Sequence, residues 1–245
     1  MMALSRAERA EELLDAPRHE LAELEQSLGH VAAVNRWLGG AAAVIRYVKP
    51  LLGPGRRVRV LDVATGSADI PLRLARWARN RARQVELVAT DVHPQMLEIA
   101  RRRCRAYPEI SIQAADARRL PYADGSFDAS MLSLALHHFD DDQQLEVLGE
   151  MVRVTRHRVL VNDLERGWLN YLGARLLAVT LWRHNRLTRH DGPLSVRRSF
   201  TRPELQDIGK RAGLGGRVER HFFQRIVLVG NPRSDKAAAA STELR

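Results

Sequence analysis

The order of apolar runs and helical periods predicts an α/β fold: a seven-stranded, mostly parallel sheet with helices on both faces. Three observations carry it. Apolar runs at 58–63, 85–90, 109–113, 127–134 and 157–162 alternate with helical segments at 67–80, 94–104 and 143–154, a rhythm that implies parallel strands joined by right-handed crossovers. Two further runs, 216–221 and 224–229, flank Phe222-Phe223 and read as a closing hairpin. A turn of small residues, Asp62 to Ala68, follows the first strand, and an acidic residue, Asp91, ends the second. Those are the places where an open parallel sheet meets a ligand.

Taken from the N-terminus, residues 5–29 space Leu13, Leu14, Leu21, Leu24 and Leu28 as an amphipathic segment broken near Pro17. A second helix is expected over Val31 to Leu38, closed by a left-handed cap at Gly39-Gly40. Residues 1–52 thus form a helical cap, and Gly53-Pro54-Gly55 leads into the main domain, 53–230. After the fifth strand, a helical lid insertion is expected over about 165–200. It comprises an apolar helix from Trp168 to Trp182 and a polar loop, Arg189 to Ser195. A helix over 201–213 follows, with Thr201 as N-cap and Pro203 in its first turn. The tail, 231–245, is polar and alanine-rich and reads as disordered.

Composition narrows the class. A chain of 245 residues, 45% hydrophobic, suffices for one α/β domain with an elaborated lid. Its longest apolar stretch, Leu169 to Trp182, is interrupted by Asn170 and Arg175 and is too short to span a bilayer, so a cytoplasmic protein without a membrane span is expected. Cys104 is the sole cysteine, which excludes an intrachain disulfide and a cysteine-based metal cluster; no metal is expected. The formal charge of +10 raises the question of nucleic acid. Its arginines are spread along the chain and only 5% of residues are aromatic, so no nucleic-acid partner is expected.

The cofactor is read from the turn. Small residues there let the backbone approach a ligand, and Gly66 reaches φ values that other residues resist. Asp91 can accept both hydroxyl protons of a ribose. A dinucleotide oxidoreductase uses the same two anchors, but its G-x-G-x-x-G turn is missing, and Asp62 and Asp69 flank the turn with negative charge. Carboxylates suit a cationic sulfonium amino acid better than a diphosphate.

These residues resemble the class I S-adenosylmethionine (SAM)-dependent methyltransferases of Rossmann-like fold, particularly the small-molecule branch. Turns of that family read D-x-G-x-G-x-G; here Ala64 and Ala68 replace the outer glycines. The resemblance implies cofactor contacts at Asp62, Ala64, Thr65, Gly66, Ser67 and Asp69. It further implies Asp91, Val92 and Met96 in the ribose and adenine segment, Asp116 and Ala117 after the third strand, and Ser133 and Leu134 at the end of the fourth. Quinone C-methyltransferases are similar in an Ala-Thr-Gly turn preceded by an asparagine-arginine helix, which implies Arg36 as a partner of the cofactor carboxylate.

For chemistry, His137 and His138 follow strand four and Asp163 ends strand five, both at the pocket edge. Histidine has a pKa suited to a general base, and Asp163 could orient an acceptor or act as base itself. The stretch Arg189 to Ser195 resembles methyltransferases encoded beside type III polyketide synthases, which implies a phenolic or pyrone product with an apolar tail; within the loop, His190 and Asp191 are candidate base and orienting acid. The expectation is O-methylation of a small, partly apolar phenolic or polyketide-like metabolite, with C-methylation of a quinone-type ring as the alternative and a basic nucleic-acid binder with a vestigial cofactor fold as the reading from another class. Leu169, Leu172, Leu176, Leu177, Val179 and Leu181 are candidates for an acceptor channel, and a homodimer is left open.

Overall fold

The computed structural model describes residues 4–7 and 10–232. Seven strands, β1 (Arg57–Val63), β2 (Gln84–Asp91), β3 (Ile110–Ala114), β4 (Phe127–Ser133), β5 (Thr155–Leu164), β6 (Leu214–His221) and β7 (Arg225–Pro232), form one sheet. Their order is β3-β2-β1-β4-β5-β7-β6, parallel except for β7, which runs antiparallel to both β5 and β6.

Period-two alternation along β1 sends Val58 and Val60 to one face of the sheet and Leu61 and Val63 to the other. The first face is covered by α2 (Gly40–Val48), α3 (Asp69–Arg79) and part of α4 (Pro94–Cys104). The second is covered by α5 (Asp141–Val154) and α8 (Arg202–Arg211). Asp140 caps α5 by accepting from Gln143 N at 2.9 Å, and Thr201 and Glu204 close a capping box on α8. Strand order reverses between β1 and β4, so their carboxyl ends open a crevice.

Three local expectations change. The N-terminal segment is not two helices: a single 3-10 turn, Leu13–Asp15, precedes one continuous helix, α1 (Leu21–Trp37). Leu24 and Leu28 pack on Met96 and Ile99 of α4, and that burial carries the helix through Gly29. The expected polar loop at Arg189 to Ser195 lies inside a helix, α7 (Arg186–Arg198). Asn185 caps it by accepting from Thr188 N at 2.8 Å, and buried Leu187 and Val196 outweigh the breaking tendency of Gly192-Pro193. Gly192 serves close packing instead, since a Cβ there would lie 2.5 Å from the Trp182 ring. Residues 231 and 232 complete β7 rather than opening a tail, and the remainder of that tail lies outside the described residues.

The lid consists of α6 (Trp168–Val179) and α7. Across it runs an N-terminal strap held by backbone bonds, Ala7 N donating to Arg197 O at 3.0 Å. No helix among the described residues is long and apolar enough to cross a membrane.

Candidate functional site

The turn after β1 is built from left-handed backbone: φ is 52° at Ala64, 55° at Gly66 and 56° at Ala68. It is tied to the neighbouring strand by Thr65 N donating to Thr90 O at 2.8 Å. The two alanines that depart from the family pattern therefore keep the glycine conformation, at a cost of roughly 1–2 kcal/mol each. Ala64→Gly is expected to raise unfolding free energy by about 1 kcal/mol. Urea titration checks this, and a loss of stability would show that the Ala64 methyl is needed for packing.

Asp91 is buried, with Oδ2 accepting the Gly66 amide at 2.8 Å and Oδ1 accepting the His93 amide at 2.9 Å. One carboxylate thus fixes the turn, and its remaining lone pairs face the crevice. Asp62 is buried beneath, accepting the Thr65 hydroxyl at 2.5 Å. Burial above all, with Asp69 and Asp91 adding to it against the Thr65 bond, pushes its carboxyl up to about 8. Burial also raises Asp69, opposed by the Asn35 amide that donates to it at 3.2 Å.

A cavity of about 540 Å³ opens here, within the range of small-molecule sites. Of the expected cofactor residues, Asp62, Ala64, Thr65, Gly66, Ser67 and Asp69 line it from the turn; Asp91, Val92 and Met96 line it from β2 and α4; Ser133 and Leu134 line it from β4. Three expected contacts are not brought to it. Arg36 is exposed, its guanidinium 4.8 Å from the Trp37 ring centroid. Asp116 is paired with Arg118 at 2.8 Å, which holds its carboxyl below the ordinary value, and its neighbour Ala117 packs into the second core face. The helix that carries Arg36 instead turns the adjacent Asn35 inward.

Arg225 fills the place that Arg36 does not. It is fully buried at the start of β7, lines the cavity, and none of its guanidinium nitrogens has a hydrogen-bond partner among the described residues. Burial lowers its pKa to about 10, opposed by the charges of Asp163 and Asp69. Gly40 makes room for it: a Cβ there would lie 2.6 Å from Asn35 Oδ1 and 3.4 Å from Arg225 Cζ. Sequence reasoning saw 224–229 only as a strand; the available signal was an arginine opening an otherwise apolar run.

On the opposite wall, His137 is buried, donating from Nδ1 to Asp163 at 2.8 Å and facing Glu12 with Nε2 at 3.5 Å. His138 Nδ1 contacts Asp15 at 2.8 Å, and its Nε2 lies 3.7 Å from Glu12. Glu12, from the strap, was absent from the sequence reading and is 4% exposed. Ser195 donates to it at 2.9 Å, and Arg198 binds the backbone carbonyls of His137 and His138 at 3.1 and 3.0 Å. Burial alone would lower the His137 pKa, but Asp163 and then Glu12 raise it to about 10. Burial would raise Glu12, but His138 and His137 hold it at about 2. His137 is therefore an imidazolium at neutral pH, unsuited to the general-base role expected of it. Donor atoms of Glu12, His137 and His138 lie within 4.8 Å of one another; with Arg198 3.9 Å from Glu12, the charges are compensated as an ion-pair network.

Two other expectations are redirected. His190 is exposed and outside the cavity lining. Asp191 lines the cavity, but its oxygens accept the Leu13 and Leu14 amides at 2.8 and 2.9 Å and the His190 ring at 2.7 Å, so it anchors the strap. Of the channel leucines, Leu176 and Leu177 line the cavity, whereas Leu169, Leu172, Val179 and Leu181 point to solvent.

The residues fit an adenosyl amino acid cation. Asp91 offers acceptors for a ribose, Asp62 and Asp69 are carboxyl groups that burial drives toward the neutral form beside the turn, and the orphaned guanidinium of Arg225 offers donors for a carboxylate.

Residues 60–158 match the methyltransferase domain family. The chain is 41% identical over 141 residues to a demethylmenaquinone methyltransferase of Deinococcus radiodurans, covering 57% of this chain and 52% of that one. It is 34% identical over 151 residues to a ubiquinone/menaquinone biosynthesis C-methyltransferase of Citrifermentans bemidjiense, covering 60% and 56%. The chain thus spans about half the length of the curated relatives it matches. Its fold is shared with a SAM-dependent methyltransferase of Aquifex aeolicus, with a TM-score of 0.62 at 15% identity over 87% of this chain and 98% of that one.

Proposed function

We propose that the chain is a class I SAM-dependent methyltransferase, a reading supported by the methyltransferase domain matched over residues 60–158, and that it methylates a ring carbon of a small hydroxylated or quinone-type aromatic bearing an apolar tail. The observation that carries this reading is the buried Glu12-His137-Asp163 array set at the wall of a cavity whose surface is mostly apolar. Support for carbon over oxygen comes from the curated relatives, one of them named a C-methyltransferase. The relatives favour this alternative over the O-methylation expected from the sequence.

SAM supplies a methyl group already activated by its sulfonium, so the protein's work is alignment and charge control. Asp91 and the Gly66 backbone would hold the ribose end, Met96 the adenine side, and Arg225 the carboxylate. His137, kept cationic, stabilises negative charge as a ring hydroxyl ionises. The hydroxyl proton would leave past His138, which stands beside His137 on the cavity wall. Leu176, Leu177 and Trp182 exclude water from the acceptor side.

Incubation with methyl-labelled SAM and a panel of demethylated naphthoquinols and alkylphenols tests the assignment. Label on a ring carbon is expected. Label on phenolic oxygen would overturn it in favour of O-methylation, and salt-dependent RNA binding without SAM binding would favour the nucleic-acid reading.

Arg225→Met tests the carboxylate assignment separately. Losing charge-assisted bonds worth about 1.5–3 kcal/mol should weaken SAM binding roughly 10- to 100-fold. Stability should hold or rise, because the guanidinium is buried without a hydrogen-bond partner among the described residues and burying an unpaired charge is costly. Calorimetry and urea unfolding give the two values; a large stability loss with unchanged affinity would make Arg225 a structural ion-pair partner.

A further inference from the structure

Helix α6 is packed the wrong way round for a core helix. Its small residues Ala174 and Ala178 face the protein, with Asn170 donating to Glu165 O at 3.0 Å. Its large apolar residues face solvent: Leu169 is 58% exposed, Leu172 59%, Leu176 63% and Val179 63%, and Leu181 just beyond is 75% exposed. Positions 169, 172, 176 and 179 recur at helical spacing and form one stripe. Contiguous exposed apolar surface of this kind marks an interaction site.

The charge around the stripe points to its occupant. From Arg166 to His190 the chain has no aspartate or glutamate but five arginines and two histidines. Arg175, Arg183, Arg186 and Arg189 are exposed, and among the described residues Arg186 alone of these is paired with an acid, Glu23, at 3.5 Å. An apolar helix face bordered by arginine is the pattern of a segment lying in the plane of an anionic bilayer. Leu176 belongs both to the stripe and to the cavity lining, so the stripe borders the cavity.

We propose that α6 and the turn after it dock the protein on an anionic membrane surface, seating Leu169, Leu172, Leu176 and Val179 among the acyl chains with the cavity mouth against the lipid. The docking stands on the exposed face and its charge; that it delivers a lipid-embedded acceptor rests on the function proposed above. It also gives a role to part of the +10 charge.

The full chain is mixed with phosphatidylcholine vesicles, with and without phosphatidylglycerol, and pelleted. Binding is expected only to the phosphatidylglycerol vesicles, with loss at high salt. The double substitution Leu172→Ser and Val179→Ser, at exposed positions outside the cavity lining, should lower the partition coefficient at least roughly tenfold, with an unchanged circular dichroism spectrum and unchanged SAM binding by calorimetry. Absence of vesicle binding, or binding that the double variant leaves intact, would overturn the proposal. So would a concentration-dependent dimer that the double variant dissolves in the absence of lipid binding, which would assign the stripe to a second copy. None of these readouts requires methyl transfer, so failure of the docking and failure of the proposed reaction are separately visible.

Discussion

Asp91→Ala is expected to remove SAM binding from the measurable micromolar range while leaving the sheet assembled. Two losses combine at this position. The carboxylate is the acceptor proposed for two ribose hydroxyls, and charge-assisted bonds of about 1.5–3 kcal/mol each amount to roughly a 10²- to 10⁴-fold fall in affinity. Its oxygens also hold the Gly66 and His93 amides at 2.8 and 2.9 Å. Without them two donors face the crevice unpaired and the left-handed turn at Gly66 loses its tether. Asp91→Asn keeps one acceptor oxygen and turns an NH₂ against the other amide, so it should fall between the alanine variant and wild type. Isothermal calorimetry on all three proteins, with circular dichroism to verify folding, gives the ranking. Wild-type affinity in Asp91→Ala would place the ribose elsewhere.

What could be read in advance follows from how far apart in sequence the cooperating groups lie. The turn and Asp91 were legible because a parallel sheet brings the ends of consecutive strands together whatever the rest of the chain does, so Asp62 to Asp69 and Asp91 meet by topology alone. His137 and Asp163 were each legible as strand-end candidates, but their pairing was read only from the structure, where the carboxyl ends of adjacent strands bring them together. Glu12 and Arg225 were not legible. Glu12 meets Ser195 across 183 residues and Arg225 approaches Asn35 from the far end of the chain, and neither has a local pattern that announces its destination. In α6 the helical period was visible, but which side faced the protein was not, because the small residues there are the buried ones. In α7, Gly192-Pro193 signalled a break that burial of Leu187 and Val196 overrides.

The strap carboxylate offers the sharpest test of the acceptor side. Glu12→Ala would leave the His137 imidazolium buried with Asp163 as its remaining carboxylate partner and would release the Ser195 hydroxyl. Removing one partner of a buried pair costs about 3–5 kcal/mol, and disturbing the charge arrangement proposed to stabilise the ionising hydroxyl should cost about 10²- to 10³-fold in turnover. Glu12→Gln preserves shape but not charge, so it should recover stability more than turnover. The pH profile separates a charge role from a packing role. His137 is raised to about 10, so its contribution is fully present below about 6.5 and disappears as pH rises through about 10. Glu12 is lowered to about 2, so its share is fully present above about 4.5 and disappears as pH falls through about 2. Wild-type stability from this pair should therefore be greatest between about 4.5 and 6.5 and decline on both sides, and Glu12→Ala should flatten both limbs. Hydrogen exchange of the strap amides at Leu13 and Leu14, followed across that range, reports the attachment directly. Equal protection in wild type and Glu12→Ala at neutral pH would show that Asp191 alone holds the strap and that Glu12 belongs to catalysis only.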